Sequence, residues 1–111
     1  MMIDMAADFS PYPSGRIPSD GSFSGESFRE KLLRPAIRDV VAGGLNVEDI
    51  VVNIDGVRTF GSSFLDEAFG GLVRSATAEE KRAVVEHLKI ECTKPHLEIY
   101  RDAIRSHLSS N

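Results

Sequence analysis

The chain has 111 residues, 41% of them hydrophobic and 27% charged, a balance that fits an ordinary globular domain and excludes disordered, collagen-like and disulfide-stapled classes. Lys and Arg number 13 against 17 Asp and Glu, a formal charge of −4. Nucleic acid is therefore not an expected partner, because holding a polyanion requires clustered cations that displace its counterions.

A single domain over residues 1–111 is expected at this length. One thiol, Cys92, cannot close an internal disulfide, so the fold must rest on packing and suits a reducing, cytoplasmic setting. The opening MMIDMAADFS carries two acids and no basic or long apolar region. No stretch approaches the ~20 apolar residues of a spanning helix, so neither secretion nor a membrane is expected.

Met2 to Asp8 alternates weakly through Ile3, Met5 and Ala7 and reads as a first, edge strand. Residues 9–25, FSPYPSGRIPSDGSFSG, hold three of the five prolines and many serines, the composition of a long loop. Loops of this length are functional or disordered, and an extended piece around Arg16 and Ile17 would suit a return to a sheet edge. From Gly25 to Val41 the apolar positions Phe28, Leu32, Leu33, Ala36, Ile37, Val40 and Val41 recur at helical spacing, with Ser24 as N-cap. Pro35 is expected to kink or split this helix near Arg34, and Gly43-Gly44 to end it.

Ile50 to Ile54 is a short β-branched run before Asp55-Gly56 and reads as a central buried strand. Phe64/Leu65, Ala68/Phe69 and Leu72/Val73 repeat every four residues, so a helix starts close to Ser62 or Ser63. Asp66 and Glu67 suit its positive end. Thr77 and Glu80 have the spacing of a capping box opening a short helix. Leu88, Ile90 and Cys92 alternate with Lys89 and Glu91 as a last strand, and after Pro95 the positions Leu97, Tyr100, Ile104 and Leu108 mark a final helix. Alternating β and α elements imply an α/β fold with a few-stranded, mostly parallel sheet packed by about four helices.

The richest segment is Val51 to Arg74, where a buried strand runs through a turn and a serine pair into an apolar helix. Ligands and partners of α/β folds gather at the carboxyl ends of strands and the amino ends of the helices that follow. A serine at a helix start is also an ordinary cap worth ~1 kcal/mol and needs no function. Gly70-Gly71 interrupts the helix at ~1 kcal/mol per residue relative to Ala, which implies close approach by another element, most simply in helix packing. Arg16, Asp20, Glu26 and Arg29 read as an ion-pair latch pinning the long loop to the first long helix. The other reading is a groove for an acidic or phosphorylated ligand built from Arg16, Arg29 and Arg58.

The string IVVNIDGVRTFGSSFLDEAF resembles the strand, serine and helix signature of STAS domains, whose best-known members are anti-sigma-factor antagonists. GR followed by SDG, then SGESFREKLLRPA, then GSSFLDEAFGGLVR is closer still to a family of bacterial STAS-like domains of unknown function. The resemblance implies a small STAS-like α/β fold and a signalling role in protein partnership. In the antagonists the serine after an acid is phosphorylated by a partner that is both a histidine-kinase-like ATPase and an anti-sigma factor, and phosphorylation releases the complex. That serine matches Ser62, with Ser63 beside it, and Gly61 stands where the antagonists carry the acid. Ser62 and Ser63 are thus candidate phosphorylation sites, and Arg16, Asp20, Arg29, Arg58, Gly61 and Asp66 candidate partner or ligand contacts.

The alternative is a small ligand-binding domain or enzyme using the end of the central strand near Ser62. Against an enzyme, GxSxG, Walker, GxGxxG, HExxH and Cys-x-x-Cys motifs are absent. His87, His96 and His107 are expected at the surface, Cys92 as a small buried hydrophobe, and no catalytic residue, metal site or cofactor is expected. An edge strand at the amino terminus and the apolar Phe64 and Phe69 leave room for an oligomer.

Overall fold

A computed structural model describes residues 1–43 and 48–109. Strands β1 (Met2–Asp4), β2 (Ile50–Asn53) and β3 (Leu88–Glu91) form a parallel sheet in the order β1-β2-β3. The register sets Ile3 beside Val52 and Val52 beside Ile90. Those three side chains, with Ile50 and Leu88, are buried. The alternate residues Met2, Val51 and Lys89, then Asp4, Asn53 and Glu91, share the other face and range from half-buried to exposed. Parallel sheets usually bury both faces. This one buries a single face, so β2 is central as expected but covered on one side only.

The first strand is shorter than its alternation suggests. The Asp4 carboxylate accepts the Ala7 amide at 3.2 Å and turns the chain into α1 (Met5–Asp8), which drops Met5 into the core with no exposed surface. An Asp side chain that can bond a nearby amide competes with the strand ladder, and here it wins.

The first long helix, α2, runs continuously over residues 25–43: Gly25–Phe28, a π-turn at Arg29–Leu33, then Arg34–Gly43. Ser24 caps it as expected, accepting the Ser27 amide at 3.3 Å. Pro35 does not split it. The irregularity falls one turn earlier, where the Arg34 amide donates five residues back to the Arg29 carbonyl. This widened turn makes room for a ring that would otherwise clash with the carbonyl four residues before it. The described part of the helix runs to Gly43, and the expected stop at Gly43-Gly44 falls at Gly44, which lies outside the described residues.

Helix α3 covers residues 62–74 and is likewise continuous through an irregular turn, with Ser62–Leu65 followed by a π-turn at Asp66–Gly70 and then Gly71–Arg74. Thr77 opens α4 (Ala78–His87) with the expected capping box, Thr77 Oγ1 accepting the Glu80 amide at 3.1 Å and Glu80 accepting the Thr77 amide at 2.8 Å. A single 3-10 turn, Pro95–Leu97, leads into α5 (Glu98–Ser109). No helix among the described residues is long and apolar enough to cross a membrane.

Phe28, Phe64, Phe69, Ile37, Leu72 and Ile104 have no exposed surface and centre the core between sheet and helices. Phe64 and Phe69 are therefore core residues, not the faces of an oligomer. The long loop is ordered by the same aromatic cluster: Phe9 stacks edge-on against Phe28 at 5.2 Å and Phe23 against Phe9 at 5.5 Å between ring centroids. Main-chain bonds fix it further, from Ser14 N to Phe23 O and from Arg58 N to Pro11 O. Arg16 and Ile17 do not return to the sheet; the Arg16 carbonyl accepts the Glu26 amide at 2.9 Å and so lies against the start of α2.

There α2 and α3 come closest. A Cβ placed on Gly25 would stand 2.8 Å from the Phe64 carbonyl oxygen and 2.9 Å from the Ala68 nitrogen, both rigid backbone atoms. Gly25→Ala is expected to lower stability by about 1–3 kcal/mol through overpacking, although Ala is the better helix former. Denaturant unfolding measures it, and an unchanged midpoint would show that the helices can part at no cost.

Candidate functional site

The carboxyl end of β2 is built by short-range polar bonds. Asn53 Oδ1 accepts the Asp55 amide at 2.9 Å while its Nδ2 donates to Glu91 at 2.6 Å. Asp55 turns its carboxylate to the segment leaving β3, accepting Thr93 Oγ1 at 2.6 Å, the Thr93 amide at 2.7 Å and the Lys94 amide at 3.3 Å. These donors, the Thr93 hydroxyl first, hold the Asp55 carboxyl below its ordinary value. Residues 57–61 lead from this turn to the next helix, and two of them, Val57 and Phe60, are buried. Phe60 packs against Tyr100 of α5 at 5.2 Å between centroids and against Phe64 at 6.1 Å.

The loop delivers Gly61 as the N-cap of α3, at φ −82° and ψ 142°, with no side chain to satisfy the first amides. Ser62 and Ser63 are thus the first two helical residues and not caps. Ser62 is exposed and Ser63 half-buried, and neither hydroxyl has a hydrogen-bond partner among the described residues. The free amides of this first turn and the helix dipole favour an anion here. A Cβ on Gly61 would meet nothing within 4 Å.

One turn along α3 a charged seam begins. Asp66 is held by Arg16 at 2.7 Å and Arg74 at 3.0 Å, with His107 Nδ1 of α5 at 3.7 Å. The Arg16 and Arg74 hydrogen bonds, against the opposing cost of desolvation, hold the Asp66 carboxyl down at about 2. Glu67 takes Arg29 of α2 at 2.8 Å and lies 3.7 Å from Arg16. The Arg29 Nη1 also donates to the Glu67 carbonyl at 2.5 Å. The π-turn supplies that acceptor, because the Gly71 amide that a regular helix would aim at Glu67 donates to Asp66 instead.

The two glycines expected to mark close helix packing make room for guanidinium groups. A Cβ on Gly71 would collide with Arg29 Nη1, and one on Gly70 would lie 2.8 Å from Arg74 Nη1. The seam continues through Glu30, which takes Arg29 at 2.7 Å and Arg34 at 3.0 Å. Arg34 in turn donates to Ser75 at 2.5 Å and stands 3.7 Å from Glu80 of α4.

The expected latch is therefore present with different acids. Arg16 reaches Asp66 and Glu67 rather than Asp20 and Glu26. The Asp20 carboxylate instead accepts the Arg16 and Ile17 amides, at 3.1 and 3.3 Å, within its own loop. Arg29 is buried in the α2–α3 seam, so Arg16 and Arg29 meet on carboxylates and do not line a groove with Arg58. Arg58 is exposed, and its guanidinium pairs with no carboxylate among the described residues. Glu67, Arg74 and His107 belong to the seam although sequence reasoning does not assign them to a site. The signal available was the glycine pair between two acids and an arginine.

Elsewhere, His96 is exposed, while His87 and His107 are half-buried beside Asp49 and Asp66. Cys92 is partly exposed rather than buried, because β3 stops at Glu91 and leaves it in the following turn. No group of His, Cys, Asp and Glu among the described residues suits a metal ion.

A carboxyl whose folded pKa is depressed stabilises the fold above its unfolded pKa and loses that contribution as pH falls through the folded value. The Asp66 latch is thus complete above about pH 4 and fails towards pH 2. In Asp66→Asn this part of the acid transition should vanish, and the amides of the 9–25 loop should exchange faster at neutral pH, as read by hydrogen exchange. Unchanged exchange would mean that the aromatic contacts alone hold the loop.

A family profile for the STAS-like domain of unknown function (DUF4325) matches residues 24–96, from the cap of α2 through β3 to the turn before α5. No curated protein and no solved structure is significantly similar to the chain. The matched span contains β2, β3, both π-turned helices and the Ser62 turn, and on this match the chain belongs to the STAS-like family of unknown function.

Proposed function

We propose that the chain is a regulatory protein-interaction module that docks a protein partner at the β2–α3 turn and is controlled by phosphorylation of Ser62, with Ser63 as the neighbouring acceptor. The observation that carries this reading is the exposed Ser62 hydroxyl, unpartnered among the described residues, in the first turn of a helix that follows the central strand. A phosphate adds about −1.5 to −2 charges and three strong acceptors at a place where backbone amides are free. The fold tolerates it, since the acids one turn further on, Asp66 and Glu67, already face Arg16, Arg29 and Arg74. A partner whose own surface is acidic, or which packs closely on the turn, does not tolerate it. That difference between bound and free states is what a switch requires.

The similarity to anti-sigma-factor antagonists points to a histidine-kinase-like ATPase as both partner and modifying enzyme, in a cytoplasmic signalling setting. Arg58, exposed in the same loop, offers a cation to the phosphate or to an acidic partner side chain.

The test is incubation with the co-purifying ATPase and labelled ATP, followed by affinity measurement. Label is expected in the unaltered chain and in Ser63→Ala but not in Ser62→Ala. Ser62→Asp should weaken partner binding by at least about tenfold, equivalent to ~1.4 kcal/mol, while Ser62→Ala binds like the unmodified chain. Label confined to Ser63 would move the switch by one residue. No label, together with full affinity of Ser62→Asp, would overturn the reading.

A further inference from the structure

The second edge of the sheet carries an inference independent of the serine turn. The Ile54 amide donates to the Glu91 carbonyl at 3.1 Å. In a parallel ladder, alternate residues of a strand turn their backbone groups to the same neighbour. Glu91 and Lys89 therefore face β2, and Ile90 between them turns its N–H and C=O away from the sheet, where no partner among the described residues takes them. An open groove of about 300 Å³ runs along this edge between α4 and α5, lined by Val85, Leu88, Ile90, Arg105 and Leu108. Val85 is 74% exposed on its rim. A strand edge with free backbone groups beside an apolar channel is a template for another strand.

The geometry points to a second copy of this chain as the occupant, its β3 pairing antiparallel with β3 about a two-fold axis at Ile90. In that register Ile90 lies opposite its own counterpart as a hydrogen-bonded pair, which its outward backbone groups require. On the open face Lys89 falls opposite Glu91 of the other copy, and Glu91 opposite its Lys89, in the closer, non-hydrogen-bonded positions. On the covered face Leu88 meets Cys92. The charges are complementary only in this arrangement, and Lys89 pairs with no carboxylate among the described residues. Strand β1 offers no equivalent. The Val51 amide donates to the Met1 carbonyl, so Met2 and Asp4 are the outward residues of β1, and the Asp4 amide is already taken by the Asp8 carboxylate at 2.8 Å. A two-fold at Met2 would set Met1 against Ile3 with no charge pair. The dimer is isologous and closed, joining two three-stranded sheets into one of six strands without open-ended growth at this edge.

Charge exchange tests it, read by analytical ultracentrifugation with circular dichroism to show that each variant folds; both positions are exposed. The unaltered chain is expected to reach a dimer in the micromolar range. Lys89→Glu and Glu91→Lys should each weaken dimerisation by roughly tenfold or more, since each sets two like-charged pairs face to face. The double variant Lys89→Glu/Glu91→Lys should recover it, and a mixture of the two single variants should form a heterodimer tighter than either homodimer. A monomer throughout, or a dimer indifferent to every one of these changes, would overturn the proposal. Either result leaves the role of Ser62 untouched.

Discussion

The Arg29 guanidinium in the seam between α2 and α3 sets the shape of the helical layer. It bonds the side chain and the main chain of one residue, Glu67, and shares Glu30 with Arg34. A group of this charge is not buried without full pairing. Its place therefore depends on the Glu67 carbonyl released by the π-turn and on the missing side chain of Gly71. The seam draws the two helices together, and the bare Gly25 lets their backbones meet at the amino end of α2. The irregular turns in both helices are thus part of one fit and not separate defects.

From that fit follows the position of the serine turn. The aromatic row of Phe28, Phe64 and Phe60 fills the space between the seam and the sheet and ends on Tyr100, which fixes how α3 leaves the central strand. Because the core reaches α3 only from Phe64 onward, the two serines before it stay outside. The long loop then closes over the other flank, with Arg16 as the one charged tie between its tip and α3 among the described residues.

Much of the fold was legible, since its elements are driven by local chemistry. The caps at Ser24 and Thr77, the β-branched run of β2 and the four-residue repeat of α3 follow from side-chain bonds and periodicity within a few positions. The errors occur where a competing local bond or a distant group decides. Met5 leaves the strand for the core because Asp4 caps a turn. Pro35 is absorbed because α2 can widen upstream, and Phe64 and Phe69 are sealed by an element far along the chain. Within the candidate site, the serine pair at the start of α3 was legible from the strand, turn and helix pattern, whereas Arg16, read as part of a cluster with Asp20 and Glu26, bonds Asp66 instead. Glu67 and Arg74 were not legible, because ion partners across 38 and 8 residues leave no periodic trace. The one-sided sheet was written in the alternation of Lys89 and Glu91 but masked at Val51, which is apolar yet faces the open side.

The Asp55 carboxylate joins two places where the chain leaves the sheet. By grasping Thr93 and Lys94 it welds the exit of the central strand to the exit of its neighbour, and the welded piece leads on one side to the serine turn and on the other to the base of the last helix. Three hydrogen bonds through a single carboxylate thus tie the two departures from the sheet to each other.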